Sequence, residues 1–295
     1  MNQIAVCSWS LRPVSPHDLV ELCRECGISA VQLWLDPLRQ WQWKPDTMGG
    51  LAKQTGLSFV SGMYAPKDED YSTLESIKAT GGLRPDNTWE ANSKAAEGNA
   101  IMASRLGISL VTFHAGFIPH SKDDALRSTM CQRLAHVADV MAARNIRVAL
   151  ETGQEDAHTL LDALAQINEA LPPKARIGVN FDPANMVLYG MGDPIAALQR
   201  LMPHVLQVHI KDAVPAAKSG IWGEERPVGA GAVDWKSFFG VLREARYTGD
   251  FVIERESGDD RVADVRRAAD TIRSHWPASA PGALARPAES SGARP

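Results

Sequence analysis

The 295-residue sequence has no apolar run near the roughly 20 residues that a membrane-spanning helix needs, so no membrane partner is expected. It also lacks a surplus of basic charge. Its 31 Lys and Arg stand against 35 Asp and Glu, a net −4, which gives no general attraction to nucleic acid or anionic lipid. Cysteine is scarce, at four residues. Cys23 and Cys26 form a C-x-x-C within "DLVELCRECG", but a zinc ribbon needs a second pair, and a thioredoxin-type site opens a helix after a strand. The pair therefore reads as small residues on one helix face. The opening "MNQIAVCSWS" has no basic region followed by a long apolar run, so no signal peptide is expected. With no disulfide framework in view, the expected compartment is the cytoplasm.

What is present is a regular alternation of short β-rich runs and longer helical patterns, in a chain that is 44% hydrophobic. "QIAVCSW", "AVQLWL", "LSFVSGMY", "GISLVTFHAG", "IRVALETG", "RIGVNFDP", "VLQVHIKD" and "GDFVIERE" read as eight strands. Helical patterns follow them, among them 16–26, opened by Ser15-Pro16 and closed by Gly27, and 192–202, begun by Asp193-Pro194. Others are expected at about 90–106, 122–144, 156–170, 234–245 and 259–275. A series of eight strand–helix units implies a parallel sheet closed into a (β/α)8 barrel. A doubly wound open sheet would usually show a Gly-rich phosphate fingerprint after an early strand, and none is present. The barrel is expected to occupy residues 1–276. The Pro-, Ala-, Gly- and Ser-rich tail at 277–295 is expected to be disordered. The polar stretch at 65–89 is a candidate lid over the barrel mouth or a subunit contact.

The polar residues fall where a barrel keeps its chemistry. In such a fold the C-terminal ends of the strands share one rim and build the active site. His114, Glu151, Asp182, His209 and Glu254 close the fourth to eighth strands, each after an apolar run. Taken singly, each has a plain explanation: a structural histidine, a helix cap, or the start of a turn at Asp182-Pro183. Together, three carboxylates crowded at one mouth would repel and lose hydration, so a positive charge should balance them. One divalent cation held by Glu151, Asp182, His209 and Glu254 meets that need. Manganese heads the candidates, with magnesium, cobalt, iron and zinc also compatible with three oxygens and an imidazole.

"ALETG", "VNFDPAN", "QVHIKD" and "FVIERE", in this order and spacing, resemble the sugar isomerase and epimerase superfamily, whose fold is the xylose isomerase-like TIM barrel. That superfamily includes ketose 3-epimerases, hydroxypyruvate isomerases, inosose dehydratases and apurinic endonucleases. The resemblance runs over about residues 3–275. It implies that Glu151 and Glu254, besides holding the metal, act as acid and base on opposite faces of a sugar or polyol carbonyl substrate. The expected activity is that of a metal-dependent isomerase or epimerase that moves an α-proton through a metal-stabilised enediolate. Dehydration of a keto-cyclitol begins with the same proton removal and is an alternative. From other classes, an apurinic endonuclease and a non-catalytic sugar-binding barrel remain open. A homodimer is expected by analogy alone.

Further substrate contacts are expected around this centre. Lys211, two residues beyond His209, falls on the same side of the strand and either holds a substrate oxygen or pairs with a carboxylate. His114 is expected to hydrogen-bond substrate, as its counterpart does in single-metal sugar enzymes. Asn185 stands where many relatives carry histidine, which speaks against a second metal. Arg226, in the glycine-rich stretch before Trp235, is a candidate for an anionic or hydroxylated group. Trp34 and Trp9 offer rings to a sugar face, and Gln32 is a candidate substrate contact. Asp212 is expected to be a turn residue or a supporting partner.

Overall fold

The β-branched and aromatic runs become strands, and their alternation decides what each face meets. In a computed structural model, which describes residues 2–218 and 220–277, the strands are β1 (Ile4–Cys7), β2 (Ala30–Trp34), β3 (Ser58–Met63), β4 (Leu110–Phe113), β5 (Arg147–Glu151), β6 (Gly178–Phe181), β7 (Val205–Ile210), β8 (Asp212–Val214), β9 (Glu224–Arg226) and β10 (Phe251–Ile253). Eight of them close a parallel barrel in the order β1-β10-β7-β6-β5-β4-β3-β2. This is the (β/α)8 architecture expected from the sequence. The other two, β8 and β9, form an antiparallel hairpin that the sequence reading left as loop. The tail at 277–295 lies, but for Pro277, outside the described residues.

The helices are α1 (Pro16–Cys26), α2 (Asp36–Arg39), α3 (Pro45–Thr55), α4 (Leu74–Thr80), α5 (Asp86–Arg105), α6 (Ala125–Ala142), α7 (Ala157–Ala170), α8 (Pro183–Tyr189), α9 (Pro194–Leu201), α10 (Trp235–Glu244) and α11 (Arg261–His275). Helix α1 begins as its sequence dictates: Ser15 Oγ accepts from Asp18 N, Pro16 takes the first turn, and Gly27 ends the helix at φ 67°. Cys23 and Cys26 are free and buried on its inner side, in keeping with the plain reading of the pair. Burial pushes their thiols up to about 12 and about 11.

Alternation splits each barrel strand into two faces. Val31, Leu33, Val111, Phe113, Val148, Leu150, Val208, Ile210 and Phe251 join one apolar cluster with Leu19, Leu134, Leu160, Leu198, Phe238 and Val265 of the helices. Small residues of the opposite face, Ala5, Cys7, Ala30 and Val252, form a separate cluster. That face also carries the buried polar residues Gln32, Thr112, Asn180, Gln207 and His209. Gln32 of β2 reaches both Thr112 of β4 and His209 of β7, strands that are not its neighbours, so these contacts cross the barrel interior. The register slips between Val31 and Gln32 and between Val179 and Asn180. Such irregularities re-aim side chains, and here they fall at two residues that meet the same histidine.

Two buried carboxyls pin the loops at the mouth. Asp212 accepts from Ala213 N and Val233 N on Oδ1, and from Gly229 N, Gly231 N and Trp235 Nε1 on Oδ2. A Cβ on Gly231 would overlap Oδ1, so glycine is what lets that backbone approach. Glu155 accepts from Ile118 N at 3.1 Å, tying the loop after β5 to the loop after β4. Burial pushes its carboxyl up to about 8, against the pull of that N–H and of His114.

Each carboxyl carries a prediction. Asp212→Ala strands five donors and should cost about 3 kcal/mol or more in urea unfolding; a loss within 0.5 kcal/mol, about the scatter of neutral surface changes, would refute this account. Glu155 keeps its proton in the folded state between its ordinary value of 4.5 and about 8, whereas the unfolded chain gives it up. Its contribution to stability is therefore whole at acid pH and shrinks as pH rises through that window, by up to about 1.4 kcal/mol per pH unit. Glu155→Gln should flatten the fall, as read from urea midpoints measured across the window.

Candidate metal centre and active-site cavity

Four strand ends bring their polar tips to one point. Glu151 is the last residue of β5, Asp182 follows β6, His209 lies in β7, and Glu254 follows β10. All four are buried, and one donor atom from each lies within 4.8 Å of all the others. His209 Nδ1 stands 3.4 Å from Glu151 Oε1, 3.5 Å from Asp182 Oδ2 and 3.5 Å from Glu254 Oε2. Neither Nδ1 nor Asp182 Oδ2 has a hydrogen-bond partner. Buried polar atoms left this way are costly, and here both face the same small space. Asp182 is free to aim Oδ2 inward because Oδ1 caps α8, accepting from Asn185 N at 2.9 Å.

The other side of the imidazole explains the orientation. Gln32 Nε2 donates to Thr112 Oγ1 at 2.7 Å, which turns Gln32 Oε1 toward His209 Nε2, also at 2.7 Å. A carbonyl oxygen can only accept, so Nε2 carries a proton, and Nδ1 is the nitrogen turned to the carboxylates, open to a second proton or a cation. Asn180 Nδ2 lies 3.0 Å from the same Nε2, below Glu151. The residues fit a divalent cation: three carboxylates and one ring nitrogen, with two buried donor atoms unoccupied by protein. Proton and cation compete for Nδ1. Burial disfavours a charged His209, yet Glu151 and the other acidic neighbours hold its pKa well above the ordinary value. Cation binding would release that proton.

The two glutamates have different surroundings. Glu254 Oε1 accepts from Trp9 Nε1 at 3.0 Å, and Oε2 accepts from Lys211 Nζ at 2.9 Å. Against its burial, Lys211 and His209 draw its pKa down to about 2. Glu151 accepts from Asn185 Nδ2 at 2.9 Å, and His114 Nε2 lies 3.5 Å away. Burial opposes its charge, but His114 and His209 keep its pKa below the usual range. Gly153 makes the Asn185 contact possible: at φ 133° it passes so near that a Cβ would press on Asn185 Cβ at 2.5 Å.

Above this cluster lies a cavity of about 510 Å³. Glu151, Glu254, Asn185, His114, Lys211, Trp9 and Trp34 all line it. Lys211 directs its ammonium to Glu254, Glu256 and, at 3.4 Å, Asn185 Oδ1, so all three of its N–H groups face protein acceptors. Two expectations need correction. Arg226 is exposed on β9, paired with Glu224 at 2.6 Å, and does not line the cavity, because the hairpin carries it outward. Gln32 lies below the mouth, fully buried, and touches His209 instead of the cavity. The sequence reading missed Glu69, Tyr71, Tyr189, Trp222 and Glu256, which also line the cavity. Glu256 alternates with Glu254 in "FVIERE" and was legible by that spacing. Glu69 and Tyr71 sit in the 65–89 stretch singled out as a possible cover, whereas Trp222 left no pattern.

A (β/α)8 barrel with a metal-competent cluster at its C-terminal mouth is thus the class of molecule in hand. The family described as the xylose isomerase-like TIM barrel matches residues 20–275, and the chain belongs to that family. Among curated proteins, it is similar to the L-ribulose-5-phosphate 3-epimerase UlaE of Escherichia coli strain SE11, at 23% identity over 84% of this chain and 92% of that one. Among solved structures, it resembles a xylose isomerase domain protein from Planctomyces limnophilus, with a TM-score of 0.80 and 25% identity over 93% and 95% of the two chains. It also resembles a D-allulose 3-epimerase from Methylomonas sp. in fold, at a TM-score of 0.69 and 16% identity over 93% and 97%.

The histidine geometry is testable directly. Gln32→Leu removes the acceptor that holds the Nε2 proton and should weaken manganese binding about 10- to 100-fold by calorimetry, with the far-UV spectrum unchanged. Unaltered affinity in a folded variant would refute the assigned tautomer.

Proposed function

We propose that the protein is a divalent-metal-dependent sugar epimerase or isomerase that exchanges the proton on the carbon beside a carbonyl. Glu151, Asp182, His209 and Glu254 would hold one cation, with manganese first among the candidates. When bound, the cation supplies stabilisation for the negative charge that grows on the substrate oxygens. The observation that carries the reading is the unpartnered His209 Nδ1 facing three carboxylates beneath a cavity of about 510 Å³.

The chain's own residues would divide the work. Glu151 ends β5 and Glu254 follows β10 as separate carboxylates, so one removes the proton and the other returns one. Lys211 and Trp9 position Glu254, and Asn185 positions Glu151. His114 lines the cavity with its Nε2 3.5 Å from Glu151, which suits a hydrogen bond to a substrate hydroxyl held beside that carboxylate. The aromatic lining reduces water around the reacting carbon, where a low dielectric strengthens every charge interaction. A DNA-cleaving role is disfavoured by Glu69, Glu151, Glu254 and Glu256, which make the cavity acidic where a phosphodiester would lie.

Incubation of the manganese-loaded protein with D-fructose, D-allulose or L-ribulose in D2O should place deuterium beside the carbonyl of at least one of them. Chelation should abolish the exchange, and Glu151→Gln or Glu254→Gln should each slow it by about 10²- to 10⁴-fold. Exchange that survives both substitutions would refute the assignment, as would failure of the protein to retain a cation.

A further inference from the structure

The cavity holds more information than the reaction needs. Its charges are lopsided: Glu69, Glu151, Glu254 and Glu256 line it, and among the described residues its cationic side chains are Lys211 and His114. Neither is free for an anion. Lys211 spends its ammonium on Glu254 and Glu256, and His114 lies against Glu151. Two arginines of nearby elements are engaged elsewhere. Arg226 pairs with Glu224 at the surface, and Arg255 pairs with Glu225 and Asp264. A phosphate ester, with about −1.5 to −2 charge near neutral pH, would therefore meet carboxylates in this lining, whose one ammonium is already paired.

The remainder of the lining is aromatic. Trp9 forms part of the floor, held by its bond to Glu254. Farther out, Trp34 and Tyr71 are 38% and 45% exposed, which puts them at the opening. Trp222, on the loop between β8 and β9, meets Tyr189 of α8 edge to face, with ring centroids 4.8 Å apart. The Trp222 indole Nε1 is buried without a partner, so the residue meets the cavity with its ring and not with that N–H. Flat apolar faces suit a pyranose ring, which presents C–H on its faces and hydroxyls at its edge. A cavity of about 510 Å³ falls in the range that encloses ligands of drug size, larger than a lone ketose.

We propose that the natural substrate is an uncharged glycoside: a carbonyl-bearing sugar at the cluster, joined to a second sugar ring that packs against Trp34, Tyr71 and Trp222. This rests on the epimerase reading and specifies its substrate class. It sets the chain apart from the similar curated protein that is named for a sugar 5-phosphate.

The test compares ligands that differ only in what the ketose carries. The manganese-loaded full chain is titrated by calorimetry with D-fructose, with fructose 1- and 6-phosphates, and with the glucosyl-fructoses linked through O3, O5 and O6 (turanose, leucrose and isomaltulose). At least one disaccharide should bind about tenfold or more tighter than fructose, and neither phosphate should exceed fructose. Trp222→Ala and Tyr71→Ala should lower disaccharide affinity several-fold more than fructose affinity. The proposal is overturned if a phosphate ester is the tightest ligand, if no disaccharide exceeds fructose, or if both substitutions weaken all ligands equally. Metal content and solvent exchange, measured on the same preparation, distinguish the two failures. Loss of either one sinks the epimerase reading, whereas their presence with a preference for phosphate sinks only the glycoside.

Discussion

One hydrogen bond organises the centre of this molecule: the proton of His209 Nε2 held by Gln32 Oε1 across the barrel. Because Thr112 fixes the Gln32 amide, the imidazole can neither flip nor move its proton without breaking a buried bond. The opposite nitrogen is therefore held toward the space between Glu151, Asp182 and Glu254, where a proton or a cation can bind it. Buried imidazoles and carboxamides inside a barrel are costly unless satisfied, and here the satisfied side faces down while the open side faces the mouth. The polar layer is thus both a structural demand and the support of the candidate metal centre.

The alternating face of each strand accounts for how much could be read from the chain. "VLQVHIKD" reads directly: Leu206, Val208 and Ile210 have one orientation, and Gln207, His209 and Lys211 have the other. The same logic exposes Glu151, Asp182 and Glu254 as strand-end carboxylates, and closure of the barrel brings them together. Periodicity cannot show which residues slip register. Gln32 and Asn180 follow such slips, so Gln32 read as a rim residue when it is a support beneath the histidine. Loops carry even less pattern. Arg226 was misplaced because the β8–β9 hairpin has no long alternating run, and Trp222 was invisible for the same reason.

Loops also divide the labour at the mouth. Asp212 gathers the segment from Gly229 to Trp235 around one carboxylate, which fixes the root of the β8–β9 excursion. The excursion then returns over α8, where Gly223 packs closely on Leu188 and Trp222 on Tyr189. On the far side, Glu69 accepts from Gly82 N, and the capping box at Thr73 and Ser76 starts α4. The reacting end of the cavity is therefore built on strands and its outer end on braced loops, a division that lets the bound group vary while the chemistry stays in place.

Beneath the imidazole sits Cys7, its sulfur 3.2 Å from Gln32 Oε1 and 3.8 Å from His209 Nε2. Burial holds this thiol far above its ordinary pKa, so it stays neutral at physiological pH. A soft donor within reach of His209 and Glu254 is thereby kept protonated in the metal-free protein. Copper(I) and other thiophilic ions meet hard oxygens and one ring nitrogen at this mouth, and gain the sulfur beneath only by displacing a proton that burial holds tightly.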